Sequence, residues 1–144
     1  MMKVHLNLLL RRLFGLTKSY KRDIQILLKM LANIDSARDV ITRYRVNFAS
    51  NSQYSLHLNK DAFDLCAFYL AQFGEKVKLL TDTTRHDLST IVDLSILKYF
   101  RNIIDHDYES VNKVILMSYI QLLTSNDFRN AVIKRIDYCK QNKR

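Results

Sequence analysis

Ile24-Gln25-Ile26-Leu27-Leu28-Lys29-Met30-Leu31-Ala32-Asn33-Ile34 is the stretch that decides the fold class. Apolar side chains at Ile24, Leu27, Leu28, Leu31 and Ile34, continuing to Ile41 and Tyr44, recur at the three- and four-residue spacing that lays one stripe along a helix. The spacing predicts a long helix over 19–48. Behind it, Ala49-Ser50-Asn51-Ser52-Gln53 is polar and aperiodic and reads as the first loop, with Asn59 placed to cap the next helix.

Four further segments carry the same period. Ala62, Cys66, Leu70, Phe73, Val77 and Leu80 form one stripe, and Phe63, Leu65, Ala67 and Phe68 widen it almost all round, which predicts a helix buried on several sides. Gly74 inside it costs about 1 kcal/mol of helix propensity relative to alanine, a cost that makes sense where another backbone approaches closely, at a core or dimer seam. Thr81 to Thr84 form a polar break. Thr84-x-x-Asp87 then resembles a capping box ahead of Leu88, Ile91, Val92, Ile96 and Leu97, so that a third helical segment carries Arg101. Val111, Val114, Ile115, Ser118 and Leu122 mark a fourth helix, and Ser125-Asn126-Asp127 caps a fifth through Phe128, Val132, Ile136 and Cys139. Short connections between them predict an antiparallel bundle.

Composition agrees. A chain of 144 residues with 48% apolar content has the size of one domain with one core, and an absence of proline with only 2 glycines is incompatible with a turn-rich all-β architecture. The expected architecture is therefore all-α: an antiparallel bundle of four to five helices over 18–144, preceded by an amphipathic N-terminal extension over 1–17 that forms an extra helix. In that extension the run Leu8-Leu9-Leu10 meets Arg11 and Arg12 before it reaches the length of a membrane span, and no small-residue cleavage site follows. Docking on the body or on a second subunit is the expected role, with no membrane partner. Cys66 and Cys139 are far apart and each lies in an apolar helical pattern, which predicts buried, reduced thiols and a cytoplasmic location. Lys plus Arg number 23 against 14 Asp plus Glu, a net +9 that attracts polyanions or acidic partners.

The chemistry concentrates in Arg101-Asn102-Ile103-Ile104-Asp105-His106-Asp107-Tyr108. RNA cleavage needs a group that takes a proton from the 2′-hydroxyl near neutral pH, and histidine has the only unperturbed side-chain pKa there, so His106 is the candidate base or acid. Arg101 stays charged and presents a planar fork to phosphate oxygens, which suits it to clamp the phosphate. Asn102 lies four residues before His106, on the same helical face, where its amide can orient the imidazole. Arg101 and His106, five apart, are about 140° apart on a straight helix, so either the helix ends near His106 or the site is composite and borrows the segment of a second subunit. Asp105 and Asp107 lack a second histidine or acidic cluster at ligand spacing, and no metal or other cofactor is expected. A nucleotide on the Tyr108 hydroxyl would add negative charge and bulk where RNA phosphate must bind.

The order of these segments resembles the HEPN superfamily, specifically the HepT-like toxins that pair with a minimal nucleotidyltransferase. The likeness covers about residues 21–120: Arg22-Asp23-Ile24 opening a long helix, Asp61-Ala62-Phe63 leading to Gln72-Phe73-Gly74-Glu75-Lys76-Val77, then Leu97 to Tyr108 with Arg101, Asn102, His106 and Tyr108 in the Arg-Asn-x-x-x-His-x-Tyr pattern. The resemblance implies a homodimer with Arg101 and His106 of both copies lining a basic cleft, a metal-independent endoribonuclease acting on RNA, and a nucleotidyltransferase antitoxin that adenylylates Tyr108. Two rivals keep the helical fold: a non-catalytic module that docks the nucleotidyltransferase, and a basic duplex-binding protein. Against the second, no helix-turn-helix spacing occurs.

Overall fold

The computed structural model describes residues 2–48, 60–97 and 113–142, with side chains from residue 19 onward, 113 excepted. Each regular element among them is an α-helix: α1 (Met2–Arg43), α2 (Lys60–Val77), α3 (Asp82–Ser89), α4 (Lys113–Leu123) and α5 (Asn126–Gln141). The all-α expectation holds. The loop over 49–53 and the Asn59 cap lie outside the described residues.

The N-terminal extension is not a helix of its own. Residues 2–43 form one helix of 42 residues, running through the boundary at 17/18. Nothing in the sequence stops it, because proline is absent and Gly15 costs only about 1 kcal/mol, far less than a broken helix. Its C-terminus comes earlier than 48, at Arg43, by a Schellman closure: the Val46 N–H donates to the Ile41 carbonyl at 3.0 Å and the Arg45 N–H to the Thr42 carbonyl at 3.2 Å. The residue that turns left-handed there is Arg45, with φ 51°, where glycine is usual.

Within the described part of α1, Tyr20, Asp23, Leu27, Met30, Ile34, Ala37 and Ile41 succeed one another at alternating steps of three and four, a heptad-like seam. Asp23, Leu27, Met30, Ile34 and Ala37 on that seam are fully buried, whereas Leu28 and Tyr44, assigned to the stripe from sequence, are exposed. The seam is covered by α2 and α5. Cys66 of α2 donates its thiol hydrogen to the Ala37 carbonyl at 3.6 Å. Between α2 and α5, Phe73 meets Phe128 edge-on at 5.7 Å between ring centroids, an arrangement that adds to their burial.

α5 runs antiparallel to α1. At one end Arg38 donates to the Thr124 carbonyl and to Asn126 Oδ1, both at 2.8 Å; one turn on, Arg129 forks onto the two Asp35 oxygens at 2.7 and 3.2 Å; at the other end Tyr20 meets Tyr138 edge-on. The fork keeps the Arg129 guanidinium charged, first through its hydrogen bond to Asp35. Ser125 caps α5 as expected, its hydroxyl accepting from the Phe128 N–H at 3.2 Å.

Three expectations about α2 and α3 are corrected. Leu65 and Phe68 do not add to the buried sides of α2; they are 38% and 51% exposed. The cap of α3 is Thr81, whose hydroxyl accepts from the Thr84 N–H, and Thr84 is instead a buried side chain of the first turn. The third helical segment is also not continuous to Leu97. Ser89 and Thr90 turn their hydroxyls back onto the His86 and Asp87 carbonyls at 2.7 Å each, ending α3, and the chain becomes helical again at Ser95. Asp93 starts that turn by accepting from the Ser95 N–H at 3.0 Å.

Candidate functional site

Arg101, Asn102, Asp105, His106, Asp107 and Tyr108 lie outside the described residues, which stop at Leu97 and resume at Lys113. What is described is how the chain is held just before the motif. Leu97, four residues ahead of Arg101, is 2% exposed and rests on Gly74 of α2. A methyl group at Gly74 would meet the Leu97 carbonyl oxygen at 3.1 Å and its Cβ at 3.3 Å, tighter than ordinary van der Waals contact. The close approach anticipated at Gly74 therefore occurs within the core of one chain. It fixes the exit point of the motif segment against a rigid helix.

The turn ahead of Leu97 is held electrostatically. The Asp93 carboxyl is lowered from its ordinary 3.8, first by the Ser95 side-chain hydrogen bond and then by the Ser95 backbone bond. Both donors favour the carboxylate.

The second built feature is a buried polar relay where α1, α3 and α5 meet, which the sequence reading missed. Asp23 is fully buried yet has three donors: the Thr81 N–H at 3.0 Å, the Thr81 hydroxyl at 2.6 Å and the Thr84 hydroxyl at 2.6 Å. The Thr84 oxygen in turn accepts from Arg135 Nε at 3.0 Å. One hydroxyl thus joins a carboxylate to a guanidinium. A bare buried carboxylate costs several kcal/mol, and charge-assisted hydrogen bonds at about 1.5–3 kcal/mol each offset it. The carboxylate also sits at the N-terminus of α3, where exposed N–H groups favour negative charge.

Arg135 is 7% exposed. Its Nη1 lies 3.8 Å from Asp87, and its Nη2 is buried with no hydrogen-bond partner among the described residues. The Tyr138 ring covers the guanidinium at 4.4 Å and the Tyr20 ring lies at 5.8 Å, so the quadrupoles of two aromatic faces supply attraction where hydrogen bonds run out. The Tyr138 phenol is raised, first by its hydrogen bond with Tyr20, against an opposing effect of Arg135.

Chemically this cluster is a brace. Its thiol neighbour Cys139 is raised, mainly by burial, and Cys66 is pushed up to about 12 by burial, so neither is a thiolate near neutral pH. Both are free and buried, as the sequence predicts. Among the described residues no group of three His, Cys, Asp or Glu could hold a metal ion, and no helix is long and apolar enough to cross a membrane. The sequence did hold a signal for the brace. Asp23 interrupts the seam of α1, and Arg135 interrupts the matching series Phe128, Val132, Arg135, Cys139 of α5; a charged residue on an apolar stripe demands a buried partner.

Comparison with protein-family models, with curated proteins and with solved structures finds no match for this chain.

Proposed function

We propose that the chain is the toxin of a toxin–antitoxin pair: a HEPN-type, metal-independent endoribonuclease whose composite site in a homodimer cleft is built from Arg101 and His106. The observation that carries the reading is the Arg101-x4-His106-x-Tyr108 motif following Leu97, which is seated on Gly74. The net charge of +9 supports it, because RNA is drawn to a positive surface.

In the proposed reaction His106 accepts the proton of a 2′-hydroxyl as its oxygen attacks the adjacent phosphorus. The bond from phosphorus to the 5′-oxygen breaks, that oxygen takes up a proton from water, His106 returns its proton to solvent, and a 2′,3′-cyclic phosphate remains. Arg101 binds the non-bridging oxygens as charge builds on them, and Asn102 holds the imidazole in orientation. Tyr108 is the regulatory point: a minimal nucleotidyltransferase antitoxin adenylylates its hydroxyl, and the added phosphate repels RNA.

Purified protein incubated with total RNA tests this. Cleavage that disappears in Arg101→Ala and His106→Ala, with helical content retained, is expected; equal cleavage by all three proteins overturns it. Co-expression with the antitoxin should add adenylate mass to wild type and none to Tyr108→Phe.

A further inference from the structure

We propose that residues 2–22 of α1 bind the surface of an anionic lipid bilayer. The seam of α1 does not stop at Tyr20: the same alternating steps of three and four carry it back through Leu16, Leu13, Leu9, Leu6 and Met2. The two helices that cover the seam farther along end short of this stretch. α5 ends at Gln141, less than one turn past Tyr138, which lies beside Tyr20, and the chain has left α2 at Val77 before Thr81 reaches Asp23. Residues 2–16 therefore carry α1 about 22 Å beyond the level that α5 reaches.

The pattern of the stretch identifies the surface. At about 100° per residue, Leu10 and Phe14 widen the seam to an apolar arc of about 160°, broader than the two positions in seven that one partner helix covers. His5, Arg11, Arg12 and Lys18 fall on the opposite arc, with Val4 and Leu8 as apolar exceptions, and Lys3 stands at the margin of the apolar arc. The charge has one sign: Lys3, Arg11, Arg12, Lys18, Lys21 and Arg22 all precede the first acidic residue, Asp23, which is buried and bonded to Thr81 and Thr84. Lys21 and Arg22 are exposed, as are Lys134 and Lys140 at the same end of α5. Asp82, Asp87 and Asp137 are exposed on α3 and α5, but Asp82 pairs with Arg85, Asp87 faces Arg135, and Asp137 has a lysine three residues to either side.

RNA would meet the cations and leave the apolar arc in water, whereas a neutral bilayer would cover the arc and leave the cations unmatched. An anionic bilayer matches both. The sequence expects no membrane partner because the apolar run is too short to cross, but a helix lying along the surface needs no crossing. The inference uses no residue of the Arg101–Tyr108 motif and stands apart from the nuclease.

Flotation of the full chain, freed of nucleic acid, with vesicles of phosphatidylcholine alone and of phosphatidylcholine mixed with phosphatidylglycerol tests it. Wild type is expected to float with the mixed vesicles, to stay behind with the neutral ones, and to be released as salt rises. Arg11→Glu with Arg12→Glu should weaken partitioning about a hundredfold or more, while the same change of net charge at Lys29→Glu with Lys60→Glu should leave it within about threefold. Leu9→Lys with Leu13→Lys adds positive charge and should still weaken partitioning about tenfold or more, which attraction between charges alone does not predict. Circular dichroism checks that each variant stays helical. Phe14→Trp should shift its emission to the blue on mixed vesicles, reporting burial at the interface. Equal flotation with neutral and mixed vesicles, tighter binding by the Leu9→Lys and Leu13→Lys variant, equal loss in the Lys29 and Lys60 control, or a Phe14→Trp shift with RNA and none with vesicles overturns the proposal.

Discussion

Thr84→Val isolates the relay, because valine keeps the shape of threonine and deletes one hydroxyl. That hydroxyl donates to Asp23 at 2.6 Å and accepts from Arg135 at 3.0 Å, and both partners are buried where water cannot replace it. Two charge-assisted bonds at about 1.5–3 kcal/mol each are lost, and Asp23 retains the two Thr81 donors. The expected loss is about 3–5 kcal/mol, or roughly 6–20 °C in Tm for a domain of this size. Urea unfolding followed by circular dichroism at neutral pH measures it, with an unchanged m-value showing that the native state is otherwise intact. The double variant with Arg135→Met separates the relay from simple packing: removing both ends together should cost less than the sum of the singles by about 1–2 kcal/mol. A loss below about 1 kcal/mol for Thr84→Val, or strict additivity in the cycle, refutes the reasoning.

Further outcomes follow from single positions. Gly74→Ala gains about 1 kcal/mol of helix propensity but forces the Leu97 backbone outward, and a net destabilisation of about 1 kcal/mol or more is expected by urea titration. Arg45→Gly relieves the left-handed backbone at φ 51° and should stabilise by about 0.5–1 kcal/mol in the same assay; destabilisation would contradict the Schellman closure of α1. Cys66, with its thiol near 12, should resist a thiol reagent at pH 8 in the native state and react once the chain is unfolded. The Asp93 carboxyl, lowered in the folded state, should titrate below 3.8 by NMR; its contribution is present above 3.8 and lost as pH falls through the folded value, and Ser95→Ala should return the titration toward 3.8.

Helical periodicity made the bundle legible, and the Ser125 cap was legible for the same reason: both are local patterns with a direct structural consequence. The end of α1 was not, because arginine occupies the left-handed position where the usual signal is glycine. The break after Ser89 was hidden too. Apolar spacing runs through Leu88, Ile91 and Val92, and what stops the helix is hydroxyls bonding back to carbonyls, a competition that spacing does not encode. The relay joins residues more than fifty positions apart, so its members were visible as anomalies on their stripes but their partners were set by tertiary packing. For the motif the position is reversed. Arg101, His106 and Tyr108 were read from their chemistry, and the described residues give their point of departure at Leu97 and not their geometry.

The central claim is tested most directly with a short RNA strand cut by the wild-type protein in the presence of a metal chelator, beside the same strand carrying a single 2′-deoxyribose at the cleavage position. The account predicts cutting of the all-ribose strand to a 2′,3′-cyclic phosphate end, none at the deoxyribose, and none with His106→Ala. Cutting that requires added metal, proceeds at the deoxyribose, or persists in His106→Ala contradicts it.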